Sequence, residues 1–140
     1  MLYGTTQAGG AGNGGTVYSL DPATGTETII HTFSATGDGA HPQAALTYAN
    51  GLLYGTTTAG GTKGEGTVFS VDPTTGQEVV LHSFSLYPDG SVPIGMLSYL
   101  HGHLYGTTSN GGIDQVNNGT IFKVDAATAR QPHCTVHRIG

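Results

Sequence analysis

The chain has 140 residues and a formal net charge of -5, with four basic residues against nine acidic ones. That balance leaves no basic stripe to track phosphates, so neither nucleic acid nor an anionic membrane is expected as a partner. Glycine (24) and proline (6) punctuate the chain without a three-residue period, which excludes collagen, and the lone Cys134 permits no internal disulfide.

The chain opens on Leu-Tyr-Gly-Thr-Thr at Leu2 to Thr6, and the same five residues return at Leu53 to Thr57 and Leu104 to Thr108, 51 residues apart. A Gly-Thr-apolar-aromatic block follows each time, at Gly15 to Tyr18, Gly66 to Phe69 and Gly119 to Phe122. A period of this length marks stacked units that cannot bury their apolar faces alone. With 21 threonines beside tyrosine, valine and isoleucine, the composition favours short strands joined by glycine turns.

In the first unit, strands are predicted at Leu2 to Thr6 and after Gly15. They precede a turn at Asp21-Pro22-Ala23-Thr24-Gly25, where proline presets its dihedral and glycine accepts a positive one. A loop, Ser34 to Pro42, leads into the second unit. There Pro42 to Tyr48 alternates, with Ala44, Leu46 and Tyr48 on one face, as Gly95, Leu97 and Tyr99 do within Pro93 to Tyr99. Asn50-Gly51 suits a type I′ hairpin turn, and His101-Gly102 holds the equivalent place. Strands follow at Leu52 to Thr57 and Thr67 to Val71, separated by the glycine loop Gly60 to Gly66. The turn Asp72-Pro73-Thr74-Thr75-Gly76 then leads to Glu78 to Phe84, where alternation places Val80, His82 and Phe84 on one face and Val79, Leu81 and Ser83 on the other.

The third unit carries two extra residues between Gly112 and Gly119, and Ala126 and Ala129 replace the turn proline and glycine. Its last strand, Thr135 to Ile139, follows Pro132, which is tolerated only at a strand start or edge. No segment of helical length keeps a 3.6-residue period free of glycine or proline.

Four antiparallel strands per unit match the blade of a β-propeller. The expected fold is therefore all-β, a single repeat domain over 1–140 with about three blades: an incomplete blade 1 at 1–34, blade 2 at 42–85 and blade 3 at 93–140. The first blade lacks its inner strand. Three blades do not close a ring, whereas two copies make six, within the usual four to eight. A homodimer is the expected assembly. A piece cut from a longer array and a single open fragment are the alternatives.

These motifs together, with His-Thr-Phe or His-Ser-Phe followed by Asp-Gly, resemble the tandem repeat described in Gloeobacter, Verrucomicrobia and related bacteria. The likeness is strong for Leu2 to Tyr105 and weaker beyond Ala126. It implies a propeller-like protein of many copies, often exported and so secreted or at the cell surface, with no general activity and no family-wide catalytic residue. No basic leader with an apolar stretch precedes the first repeat, so the sequence itself assigns no compartment. The strand order also resembles kelch blades, although the glycine pair falls later here.

Propeller ligands sit over the loops joining outer strand to next inner strand and second strand to third. Those loops supply the candidate ligand-binding residues Asp38, His41, Lys63, Asp89 and Asp114. A carboxylate before glycine could accept sugar hydroxyls or contribute to a calcium site, but its leading reading is as the cap of its own tight turn. His31 and His82 are equivalent, with His137 a third, and a histidine repeated in every unit reads as a structural device bonding a neighbouring strand or turn. His101 with His103, and His133 with His137, lack the further ligands of a zinc site, so no metal, cofactor or catalytic residue is expected. Tyr3, Tyr54 and Tyr105, like Tyr48 and Tyr99, suit packing between blades or stacking on sugars. The expected function is a binding or scaffold module for carbohydrate or protein. The alternatives are a polysaccharide hydrolase or lyase active only as an assembled ring, and a purely structural repeat.

Overall fold

The computed structural model describes residues 1–113 and 117–126, and the backbone of Thr135–His137. The expected turn through Ala129, the residues around Pro132 and Cys134, and the end of the last strand lie outside the described residues. What is described is all-β, without helix, in three antiparallel sheets.

The first sheet holds β1 (Leu2–Thr6), β2 (Thr16–Leu20) and β3 (Glu27–Thr32), in that order. The second holds β4 (Thr47–Ala49), β5 (Leu52–Thr57), β6 (Thr67–Val71) and β7 (Glu78–Ser83). The third is built on β10 (His103–Asn110), which pairs with β8 (Ser91–Pro93), β9 (Ser98–Leu100) and β11 (Thr120–Asp125); β12 (Thr135–His137) lines the far edge of β11. Among the described residues the first sheet has no counterpart of β4.

The turns follow from their residues. Asn50 and Gly51 have φ of 51° and 80°, and His101 and Gly102 have 48° and 80°, the paired left-handed dihedrals of a type I′ hairpin. At the aspartate turns the Asp21 and Asp72 carboxylates accept the Ala23 and Thr74 N–H groups, and their carbonyls accept the Gly25 and Gly76 N–H groups.

Two expectations change. The inner strand is shorter than Pro42 to Tyr48: only Thr47–Ala49 pairs in the second unit, and in the third the strand is split into β8 and β9. His41 and Val92, each just before a proline, have φ of 57° and 52°, so the chain bends and the next residues bow off the ladder. The bowed segments set Leu46 over Gly55 and Leu97 over Gly106. Two freed carbonyls are satisfied by the unit before: Ala44 O accepts from Thr5 Oγ1 at 3.4 Å and Leu97 O from Thr47 Oγ1 at 2.6 Å. The strict alternation of Glu78 to Phe84 is also broken. Val68 pairs with His82 and Phe69 with Val80, leaving Leu81 as the extra residue of a bulge, as Ile30 is in the first sheet. Leu81 and Phe84 therefore face the same core.

The cores lie between sheets. Val17, Phe33, Tyr3 and Ile30 of the first unit pack on Leu53, Phe69, Val71 and Leu46 of the second. The matching residues Val68, Phe84, Tyr54 and Leu81 pack on Leu104, Phe122, Val124 and Leu97 of the third. At each junction one phenylalanine meets another edge-on: Phe33 with Phe69 at 5.0 Å and 68°, Phe84 with Phe122 at 5.0 Å and 64°. Such pairs contribute about 0.5–1.5 kcal/mol beyond their burial. Tyrosines stack alongside, Tyr3 with Tyr48 and Tyr54 with Tyr99.

The glycine of Leu-Tyr-Gly-Thr-Thr is part of this packing. Gly55 pairs across the ladder with Phe69 and Gly106 with Phe122, and the ring folds over the glycine. A Cβ on Gly55 would stand 2.6 Å from Phe69 Cζ and 2.9 Å from Leu46 Cδ2. Gly55→Ala should destabilise the chain by about 1–3 kcal/mol in urea unfolding, the usual cost of overpacking. Phe69→Leu in the same chain should recover part of that loss; strict additivity of the two would show that the ring is not what the methyl meets.

Candidate functional site

The two loops leaving the outer strands build the same small cluster twice. In the first, Asp38 turns back on its own loop: both carboxylate oxygens accept the Ser34 N–H at 3.1 Å, Oδ1 accepts the Ser34 hydroxyl, and Oδ2 meets His31 Nε2 at 3.3 Å. In the second, Asp89 accepts the Ser85 N–H at 3.1 Å, the Ser85 hydroxyl at 2.6 Å and His82 Nε2 at 2.7 Å. Each imidazole stands edge-on to the buried phenylalanine two residues on, His31 to Phe33 and His82 to Phe84.

The glycine after each aspartate fixes the loop to the next unit. Gly39 and Gly90 have φ of 104° and 97°, and a Cβ on either would strike a threonine pair. Those pairs, Thr57 with Thr67 and Thr108 with Thr120, join the second and third strands of the following sheet through hydroxyl bonds of 2.7 Å and 2.8 Å. The Thr120 hydroxyl also reaches Asp89 O at 3.2 Å. Thus the cluster is carried by one unit and seated on the next.

Its chemistry is that of a clasp. In a nucleophilic triad the imidazole lies between serine and carboxylate, so that it can take the serine proton. Here the carboxylate lies between serine and imidazole, and the hydroxyl proton is committed to an anion. Burial raises the Asp89 carboxyl, but the bonds from His82 and from the side chain and backbone of Ser85 outweigh it and hold it below the ordinary carboxylate range. At Asp38 burial likewise opposes and the Ser34 bonds prevail, with His31 adding to them. Both carboxylates are mostly buried, Asp89 the more deeply.

The remaining candidates are spread along a rim of loops. The Gly60 to Gly66 loop bonds the loop before it through Gly61 N to Thr36 O at 2.8 Å, and the next through Val92 N to Glu65 O at 3.0 Å. His41 donates its backbone N–H to Gly14 O at 2.7 Å, and its ring Nδ1 lies 2.9 Å from Gln7 O. Lys63 stands exposed at the tip of its loop. Asp114, His133 and the His137 side chain lie outside the described residues. His103 Nδ1 meets its neighbour's backbone, His101 O, at 3.0 Å. Among the described residues, backbone bonds tie each loop to its neighbour, and no hydrogen bond joins Asp38, His41, Lys63 and Asp89 to one another.

Sequence reasoning missed the serines. Ser34 and Ser85 each stand four residues before the aspartate, and that recurrence was the available signal. It missed Glu78 as well. Glu78 Oε1 is buried without a hydrogen-bond partner among the described residues, and burial, aided by the Asp38 charge, pushes its carboxyl up to about 7. The equivalent Glu27 is exposed, so nothing in the repeat marks the difference.

A family model described as the Gloeobacter/Verrucomicrobia repeat matches residues 1–137. No curated protein matches the chain.

Two pH effects of opposite sign follow. Asp89, held low in the folded chain, contributes stability that is present above the ordinary carboxylate range and lost as the pH falls through its folded value. Asp89→Asn should cost about 1.5–3 kcal/mol at pH 7 and progressively less in acid; an equal cost at pH 7 and pH 2.5 would contradict the assignment. Glu78 holds in the folded chain a proton that the unfolded chain releases above its ordinary value of 4.5. Its share of stability therefore falls as the pH rises from there to about 7. Glu78→Gln should raise the melting temperature at pH 8 and leave it nearly unchanged at pH 4.

Proposed function

The chain belongs to the Gloeobacter/Verrucomicrobia repeat family, and on that premise we propose that it is a non-catalytic binding module whose sheets are propeller blades and whose loop rim holds a carbohydrate. The observation that carries this reading is the division of labour among the loop residues. The carboxylates Asp38 and Asp89 are spent on their own turns, while the rim between them is fixed by backbone bonds from unit to unit. A fixed backbone presenting small polar groups loses little entropy on binding.

The exposed side chains of that rim include Gln7, Asn13, Thr36, Thr62 and Lys63. Amides, hydroxyls and glycine backbone groups with one cation suit a neutral, hydroxyl-rich ligand better than a charged polymer. A propeller arrangement is supported by the antiparallel sheets of about four strands and by junctions that recur from one sheet to the next.

Incubating the labelled chain with glycan and cell-wall polysaccharide arrays tests the proposal. Saturable binding to a carbohydrate class, weakened several-fold by Lys63→Ala or Thr62→Ala with the melting temperature unchanged, is the expected result. Blank arrays would refute it, with capture of protein ligands alone pointing to a scaffold. Polysaccharide cleavage lost in Asp38→Asn or Asp89→Asn would favour a hydrolase or lyase instead.

A further inference from the structure

We propose that the two outer faces of the chain are the two halves of one junction, and that a second copy docks its first sheet against the third sheet of its partner, head to tail. The inference rests on the blade reading above and adds the surface and the occupant.

The internal junctions define what each face requires. On the side facing the preceding unit, the first leucine of Leu-Tyr-Gly-Thr-Thr is buried: Leu53 is 1% and Leu104 0% exposed, each packed against the sheet before it. The same residue of the first sheet, Leu2, is 56% exposed. On the side facing the following unit, the apolar residue after Gly-Thr is buried, Val17 and Val68 each at 0%. Its counterpart in the third sheet, Ile121, is 41% exposed. Each end therefore shows bare the half of the junction that the other end shows bare in complement.

The surrounding residues agree. Tyr18, which folds over Gly4, takes the place of Phe69 and Phe122, and Leu20 that of Val71 and Val124. On the opposite end Tyr105 takes the place of Tyr3 and Tyr54, which stack on the tyrosine of the next unit. Two positions are more polar than their internal counterparts: the Tyr18 hydroxyl replaces a phenylalanine edge, and Lys123 stands where Ser19 and Ser70 are buried. A lysine can lay its methylene stem along an apolar face while keeping its ammonium in water. A heterologous contact closes a ring or grows a filament. Two copies supply six sheets, within the four to eight that close a propeller.

Light scattering of the full chain over a concentration series tests this, with Leu2→Glu and Ile121→Glu as exposed substitutions whose folding is checked by circular dichroism. The wild type should be a dimer, and each variant alone should dissociate at least about 30-fold more readily, because an unpaired carboxylate would be trapped in the junction. Mixing the two variants should restore a dimer, since one intact Leu2 face still meets one intact Ile121 face. A monodisperse wild-type monomer, an open ladder of masses, a dimer indifferent to both substitutions, or a mixture that stays monomeric would each overturn the proposal. Glycan binding measured on the same samples separates the readings: a monomer that binds through its rim loses the docking and keeps the module.

Discussion

Phe69 lies across Gly55 within its own sheet and meets Phe33 of the sheet before in a T-shaped contact, and Phe122 repeats this with Gly106 and Phe84. The rest of the molecule is arranged around that contact. A sheet of three to five short strands has an apolar face on each side, and no helix among the described residues covers either. The ring must therefore lie flat enough for a neighbour to approach, and only a glycine opposite leaves the room. The bulges at Ile30 and Leu81 then turn a second apolar side chain of the outer strand toward the same junction as Phe33 and Phe84.

Polar groups follow the same logic. The inner strand bows so that Leu46 and Leu97 can cover the glycines, which frees backbone carbonyls, and threonine hydroxyls of the preceding unit take up two of them. The His-Asp-Ser clasp orders the loop that carries the chain from one sheet to the next, and the Asp-Gly step presses it onto the threonine pair there. Loop order and sheet packing are one property, because each loop is built by one unit and supported by the next. Glu78 and the buried, unpartnered Thr56 hydroxyl are the two departures from full satisfaction among the described side chains.

This economy bears on function. A carboxylate that accepts three or more hydrogen bonds within its own unit has little capacity left for a ligand, which is why the proposed recognition is placed on the exposed amides, hydroxyls and Lys63 of the loops. The rim as proposed runs from one sheet to the next, so its extent would depend on how many sheets are joined. Docking of a second copy would lengthen the rim as well as cover Leu2 and Ile121, so assembly and recognition would share one geometry.

The sequence by itself determined the repeat, the aspartate and Asn-Gly turns and the all-β class, because these depend on local dihedral preference and on a period that can be counted. It also marked His31, His82 and the tyrosines as recurring positions. Tertiary structure alone decided the rest: that Asp38 and Asp89 face inward, that Ser34 and Ser85 complete their clasps, that Leu81 leaves the alternation, and that Glu78 is buried while Glu27 is not. Each depends on what the neighbouring sheet places against the residue. Repeat spacing records which positions are equivalent, but burial and hydrogen-bond partners are set across the junction between units, where no spacing along one chain measures distance.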